Sequence, residues 1–366
     1  MQVICARKDL FEGVQTAARA VSVRTSLPIL GHLLITAEDD KLIIAATDLE
    51  IGVECVVEAK VIEGGSMTAP ARVFSEVLSS LPETDVSVTV TDDVNVNIKC
   101  ATSDFTINGL PPSDFPMLPD VVEDVSFAID RDVLRDGIQK TSFAIGVDES
   151  RAILTGILMQ ISESGLKLVA TDTHRLCVLD CPVIESRGAV NAIVPGRAMN
   201  ELMRVLPDQD GVVSVGISQT QIKFKTGDTV LISRLIEGQF PNYEKVVPAE
   251  HTKKLVIPTE QFEQSLKRVA IVARENSNRA TLETDDGKLT ITAESGDLGR
   301  AHEVVEILKE GDDTKMAFST RYLLDMLSVV DTEAVEIELS GEVNQALIRP
   351  QGQYDYLYVV MPMQLN

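Results

Sequence analysis

The chain has 366 residues, 24% of them charged and only 4% aromatic, and its 33 basic against 56 acidic side chains leave a net charge of −23. No apolar run of about 18 residues and no charged leader with an apolar core is found, which excludes a helical membrane span and a secretory signal. The five cysteines are odd in number and scattered over a chain long enough to bury several cores, so reduced thiols in a cytoplasmic protein are expected rather than a disulfide scaffold.

The first predicted elements are a short apolar strand in MQVICA and an amphipathic helix over 7–20. Leu10, Val14, Ala17, Ala18 and Val21 form one apolar stripe, to which Arg7, Lys8, Glu12, Gln15 and Arg19 do not belong. An alternating run over 42–48 predicts a strand with one buried face, and Pro70-Ala71-Arg72 opens a second helix over 70–80. The series then begins again. VSFAID leads into a helix over 131–145, where Leu134, Gly137, Ile138 and Gln139 repeat Leu10, Gly13, Val14 and Gln15 in register. A strand over 166–172 and a helix over 197–206 follow. A third series has KKLVIP, a helix over 260–274 with Phe262 and Leu266 in the places of Leu10 and Val14, a strand over 289–293 and a helix over 320–330. A whole strand-and-helix module is therefore present three times. Polar, proline-bearing stretches at 116–124 and 247–252 read as linkers, giving domains 1–121, 122–249 and 250–366. Each is expected to be α+β, an antiparallel sheet with two helices on one side.

Charge is unevenly placed. The six helix windows hold thirteen basic and nine acidic residues, so they are net positive while the remainder carries more than the whole negative balance. Helices gathered on one surface would make it neutral to basic, with strands and loops outside strongly acidic.

Motifs of common chemistry are missing. No phosphate-binding glycine loop, dinucleotide fingerprint, H-E-x-x-H or G-x-S-x-G occurs, and no cofactor is expected. His174 with Cys177 and Cys181 is the nearest approach to a metal set, but His174 and Cys177 differ in parity along a strand and would point to opposite faces. The acidic pairs Asp39-Asp40, Asp92-Asp93 and Asp285-Asp286 fall at hairpin tips, where aspartate favours turns. No catalytic constellation emerges.

Four separated segments carry a resemblance over the full length of the chain: Arg24-Thr25-Ser26-Leu27-Pro28-Ile29-Leu30-Gly31, Thr171-Asp172-Thr173-His174-Arg175-Leu176, Phe240-Pro241-Asn242-Tyr243 and Val359-Val360-Met361-Pro362-Met363. In order and spacing they resemble the bacterial sliding clamps, the beta subunits of DNA polymerase III. The resemblance implies three like domains in a half ring, two chains closing head to tail into a ring of six domains, and helices lining a hole for duplex DNA. It implies a processivity factor, not an enzyme, that binds double-stranded DNA without reading sequence. The implied partners besides DNA and a second copy are the polymerase alpha subunit, the clamp loader, and other polymerases and repair proteins that dock through short peptides; none is a membrane.

By the same resemblance Arg24, Arg72, Arg151 and Arg197 are expected near DNA, with Gln15, Lys140 and Lys267 added from helix position. The implied peptide groove comprises Leu154, Thr171, Thr173, His174, Arg175, Leu176, Pro241, Val246, Ser319, Tyr322, Val343, Val359, Val360, Met361, Pro362 and Met363, with His174 and Arg175 orienting the peptide and the VVMPM run partly exposed. The implied joint between copies brings Phe105 and Ile107 against Ile271 and Val272, with Asp104 and Arg300 exchanging the signs of the usual charge pair. Thr173 stands where the family often has glycine, so either its φ is ordinary or the loop shifts. A tandem peptide-binding scaffold that never meets DNA is the alternative reading, resting on the negative charge and the groove.

Overall fold

The computed structural model describes residues 1–366 apart from 23–25, 92, 93, 164, 208, 342 and 366 and the side chain of 91. Arg24 and the Asp92-Asp93 pair therefore lie outside the described residues.

The element order repeats three times. The first series is β1 (Gln2–Ala6), α1 (Arg7–Ala17), β2 (His32–Glu38), β3 (Lys41–Thr47), β4 (Ile51–Glu58), β5 (Lys60–Glu63), β6 (Gly65–Pro70), α2 (Ala71–Ser80), β7 (Asp85–Thr91), β8 (Asn95–Cys100) and β9 (Ser103–Asn108). The second is β10 (Val125–Asp130), α3 (Arg131–Ser142), β11 (Gly156–Ser162), β12 (Gly165–Thr171), β13 (Arg175–Cys181), β14 (Glu185–Arg187), β15 (Val190–Pro195), α4 (Gly196–Val205), β16 (Val212–Ile217), β17 (Gln221–Thr226) and β18 (Thr229–Arg234). The third is β19 (Lys253–Pro258), α5 (Thr259–Ala273), β20 (Arg279–Asp285), β21 (Lys288–Ser295), β22 (Gly299–Glu306), β23 (Leu308–Glu310), β24 (Lys315–Ser319), α6 (Thr320–Leu327), β25 (Ala334–Leu339), β26 (Ala346–Pro350) and β27 (Tyr356–Val360). All six predicted helices and the three alternating runs are found, with ends shifted by a few residues.

The sheets do not stop where the repeats do. The chain packs as two compact units, one of residues 1–132, 183–188 and 197–235, the other of 133–182, 189–196 and 236–366. The first holds a nine-stranded sheet in the order β14-β10-β16-β17-β18-β4-β3-β2-β6 and a five-stranded sheet, β5-β1-β7-β8-β9. In the second, nine strands run β23-β19-β25-β26-β27-β13-β12-β11-β15 and four run β22-β21-β20-β24. The middle repeat thus gives five strands to the first nine-stranded sheet and four to the second. Its β18 joins β4 of the first repeat, with Thr229 opposite Cys55 and Ser233 opposite Ile51, and its β13 joins β27 of the third, with Arg175 opposite Val360 and Leu179 opposite Tyr356. These ladders are antiparallel, and backbone hydrogen bonds rather than side chains alone seal each seam.

The glycine shared by the first two repeats has a packing reason. A Cβ on Gly13 would stand 2.5 Å from Val57, and one on Gly137 would stand 2.7 Å from Leu168. Both helices rest directly on the sheet beneath, which only a glycine permits. In α5 the corresponding residue is Ser265, 3% exposed. Large side chains such as Phe74, Phe224 and Phe262 are buried in the same layers, each contributing about 1.5–3 kcal/mol by leaving water. No helix among the described residues is long and apolar enough to cross a membrane.

All five cysteines are free and buried. Burial pushes the thiols of Cys5, Cys55 and Cys181 up to about 12, and raises Cys177 as well. The attacking species is the thiolate, so these groups are inert at neutral pH. Native protein is expected to leave Ellman's reagent almost unreacted, with full colour only after denaturation. Rapid colour at pH 8 from the native protein would contradict this packing.

Candidate peptide groove and nucleic-acid interface

One turn is built twice from the same residues. Thr47 donates its hydroxyl to the Ile51 carbonyl at 2.9 Å, while the Asp48 carboxylate accepts from the Glu50 and Ile51 amides at 3.0 and 2.8 Å. In the second repeat Thr171 donates to the Arg175 carbonyl at 2.6 Å, and Asp172 accepts from the His174 and Arg175 amides at 2.9 and 3.0 Å. The residue inside each turn is left-handed, Leu49 with φ +78° and Thr173 with φ +81°. Thr173 therefore keeps the conformation that suits glycine, at the cost of steric strain on its branched Cβ. The ordinary φ expected as one alternative for it is not found; the Thr171 and Asp172 hydrogen bonds hold the turn.

That second turn opens a groove in the second unit of about 190 Å³. Leu154, Leu176, Pro241, Val246, Val359 and Met361 supply its apolar wall; Thr171, Thr173, His174 and Arg175 form one end, and Asn242 and Tyr243 complete it. The chain after β27 is tied down beside it, the Met361 amide donating to the His174 carbonyl at 2.9 Å and the Met363 amide to that of Ala317 at 2.7 Å. Asn242 and Tyr243 are additions to the expected set, although both lie in the segment that carried the resemblance.

Arg175 does not have the role expected of it. Its guanidinium donates to Asp172 at 3.0 Å, Asp325 at 2.6 Å and the Phe143 carbonyl at 2.5 Å, and lies 4.4 Å from the centre of the Tyr322 ring. Burial works against its charge, yet the Asp325 hydrogen bond and both carboxylates hold its pKa above the ordinary arginine value. So engaged, Arg175 shapes the groove floor and is not free to orient a peptide. His174 is exposed and stacks on Tyr322 at 6.4 Å, leaving it the side chain able to turn toward a ligand.

Six expected groove residues stand outside the lining. Ser319 is buried and accepts from the Tyr322 amide as the N-cap of α6, and Tyr322 backs the groove from behind Arg175. Val343 is 85% exposed on a loop, and Pro362 and Met363 are half-buried beyond the apolar wall. The VVMPM run is partly exposed, as expected, but Val359 and Val360 are buried at 1% and 0%. They are strand residues pinned between β13 and β26, and their alternation sends Val359 to the groove and Val360 away. Exposure begins at Met361.

The three described arginines expected near DNA are exposed, and each already has an acidic neighbour: Arg72 donates to Glu76 at 2.9 Å, Arg151 to Asp148 at 2.9 Å, and Arg197 to Asp48. Any phosphate must compete with these carboxylates. Lys140 is a correction: it is buried beneath the Tyr356 ring and paired with Asp136 at 2.8 Å, so it cannot reach outward. Gln15 and Lys267 are exposed, Lys267 paired with Glu263.

Comparison with known proteins decides the family. The N-terminal, central and C-terminal domain models of the DNA polymerase III beta subunit match residues 1–119, 128–242 and 244–364. A beta sliding clamp of Chlamydia muridarum is 31% identical over the whole of both chains, and one of Staphylococcus aureus is 30% identical over 94% of each. The chain belongs to the DNA polymerase III beta subunit family. Among solved structures, a Pseudomonas aeruginosa beta subunit superposes with a TM-score of 0.95 at 33% identity, and a Bacillus subtilis sliding clamp with 0.96 at 28%, both covering each chain completely. The architecture is the three-domain clamp fold, and the clamp is an accessory processivity factor of DNA replication, not an enzyme.

The clamp's expected joint residues lie on free edges of the two smaller sheets or on the helix beside them. Phe105 is 37% exposed on β9, but Ile107 is only 7% exposed, a correction to its part in an open apolar patch, because its own repeat already covers it. Ile271 on α5 is 61% exposed and Val272 half-buried. Asp104 pairs with Lys99 at 3.5 Å and Arg300, on β22, with Glu294 at 3.4 Å, both at the surface.

Proposed function

We propose that two copies of this chain close head to tail around duplex DNA and that the groove in the second unit holds short peptides from the polymerase and other replication proteins. The sheets carry the first part. Both nine-stranded sheets are made in one way: five strands of one repeat, ending in β18 or β27, continue into four of another through β4 or β13. What remains is a five-stranded sheet ending in β9 and a four-stranded sheet beginning in β22. These are the counterparts of the joined edges. Five strands from one copy and four from the next restore the missing nine, and the same rule applied at both ends closes the assembly with two chains. Free edges are otherwise a hazard that proteins cover.

Carrying over the β18 to β4 register puts Phe105 opposite Ala301, Asp104 opposite His302 and Thr106 opposite Arg300, with Arg300 diagonal to Asp104 on one face. Ile271 and Val272, on the helix over β22, then flank Phe105. Within the ring the domains would divide near 121/122 and 249/250, and Arg24, Arg72, Arg151 and Arg197 would meet phosphates. Because Glu76, Asp148 and Asp48 compete for three of these arginines, contacts stay weak and salt-sensitive, as sliding requires. The groove's methionine and aliphatic wall suits several related peptides, as adaptable apolar surfaces do.

Topology gives the test. With a clamp loader and ATP the protein should be retained on nicked circular DNA and lost once the circle is cut, and it should sediment as a dimer. Retention unchanged on linear DNA, or a monomer at micromolar concentration, overturns the ring. The charge pair gives a finer one: Asp104→Arg and Arg300→Asp should each weaken the dimer by about 1 kcal/mol, and the double substitution should recover most of it. Failure of the double to recover would separate Asp104 from Arg300.

A further inference from the structure

A polar trough of about 530 Å³ lies across β14, β10, β16 and β17 in the first unit. Its floor is made of small residues. Ser126 and Ala128 of β10 pair with Gly216 and Ser214 of β16, so three short side chains and a glycine sit together on one face. The walls are long and charged, Arg187 and Glu185 on β14 and Lys223 and Lys225 on β17.

The repeats provide an internal comparison. In the first repeat the four floor positions hold Gln2, Ile4, Ser87 and Thr89, and in the third Lys254, Val256, Glu336 and Glu338. The third fills its face with ion pairs of its own, Lys254 to Glu336 at 3.0 Å and Arg349 to Glu338 at 2.9 Å. Only the middle repeat has both an emptied floor and a cationic rim. Opposite Ser126 stands Arg187, where the other two repeats place Glu63 and Glu310.

One carboxylate already occupies the trough. Glu123, from the acidic stretch between the first two repeats, lies so close over Gly216 that a Cβ there would be 2.4 Å from it, and it pairs with Lys223 at 2.6 Å. Neither Arg187 nor Lys225 is paired with a carboxylate among the described residues. In a protein of net charge −23, a cleft with two unsatisfied cations over a floor of serine, alanine and glycine is complementary to an extended acidic chain.

We propose that this trough docks a short, extended, acidic segment of a partner protein, independently of the peptide groove. Carboxylates of the segment meet Arg187 and Lys225, and its backbone lies on Ser126 and Ser214 beside the resident Glu123.

The test uses the full-length protein and a fluorescein-labelled deca-glutamate, with a deca-glutamine of equal length as the neutral probe. Saturable anisotropy is expected for the acidic peptide, weakened about tenfold by the pair Arg187→Glu and Lys225→Glu, and weakened similarly by Ser214→Gln, which fills the floor without altering charge. All three positions are exposed, so melting temperatures should stay near that of the parent. Absence of saturable binding overturns the proposal, as does equal binding of the glutamine peptide. Binding that survives both kinds of variant but falls on Arg72→Ala also overturns it, by moving the contact to the nucleic-acid arginines.

Discussion

Phe105→Asp is expected to convert the dimer into monomers at micromolar concentration while leaving the fold intact. Phe105 is partly exposed on the edge strand β9, so a monomer tolerates the change. In the joint, where Ala301 would face it and Ile271 and Val272 flank it, a carboxylate without a partner would be stripped of water. That costs on the order of 3 kcal/mol, roughly a hundredfold in dissociation constant. Sedimentation equilibrium reads the mass directly, and a parallel thermal melt checks folding. Retention on nicked circles should vanish with the dimer. A variant that remains dimeric would place the joint elsewhere than β9 and β22.

The second large effect is expected at Met361. This side chain is 39% exposed, lines the groove, and follows the buried end of β27 without belonging to the ladder. Met361→Glu puts a charge against Leu154, Leu176, Val246 and Val359. An apolar peptide residue seated there would have to desolvate it, at about 2–4 kcal/mol, or roughly 30- to 1000-fold in affinity. Fluorescence polarisation of a labelled hexapeptide with apolar residues at one end measures this, and the dimer and its DNA retention should be untouched. Equal peptide affinity in the variant would remove the groove from the proposed function, without bearing on the ring.

The helices were readable in the sequence because their cause is local: apolar spacing fixes a helix face. The repeated turn is as local, yet the strands expected over 42–48 and 166–172 run into it, and only the hydrogen bonds of its threonine and aspartate reveal it. Seams between repeats have no such local cause. β4 and β18 are paired although some 170 residues separate them in the chain, and the alternation of Ile51–Glu58 tells only that one face is buried, not which strand lies at the edge. Lys140 illustrates the same limit at a single side chain: helix position puts it beside Gln139 on a polar face, but Tyr356, from the last strand, covers it and donates its hydroxyl to the Lys140 carbonyl at 3.0 Å. At Arg175 the residue type suggested a free charge, and only Asp325, far along the chain, reveals that it is already engaged. Within the groove, the parity of a strand separates Val359 from Val360, yet that strand's two neighbours had to be known before either could be called buried.

The sealed thiols make one manipulation unusually direct. Every native cysteine is beyond the reach of an oxidant that acts on exposed sulfur, so no wild-type thiol need be removed before two new ones are introduced. Thr106 and Arg300 come opposite each other in the register carried over from β18 and β4, and facing residues of antiparallel strands have Cα atoms about 4.5–5.5 Å apart, within the span of a disulfide. Cysteines at those two positions would staple both seams at once and yield an endless protein loop, which a plasmid could leave only by being broken.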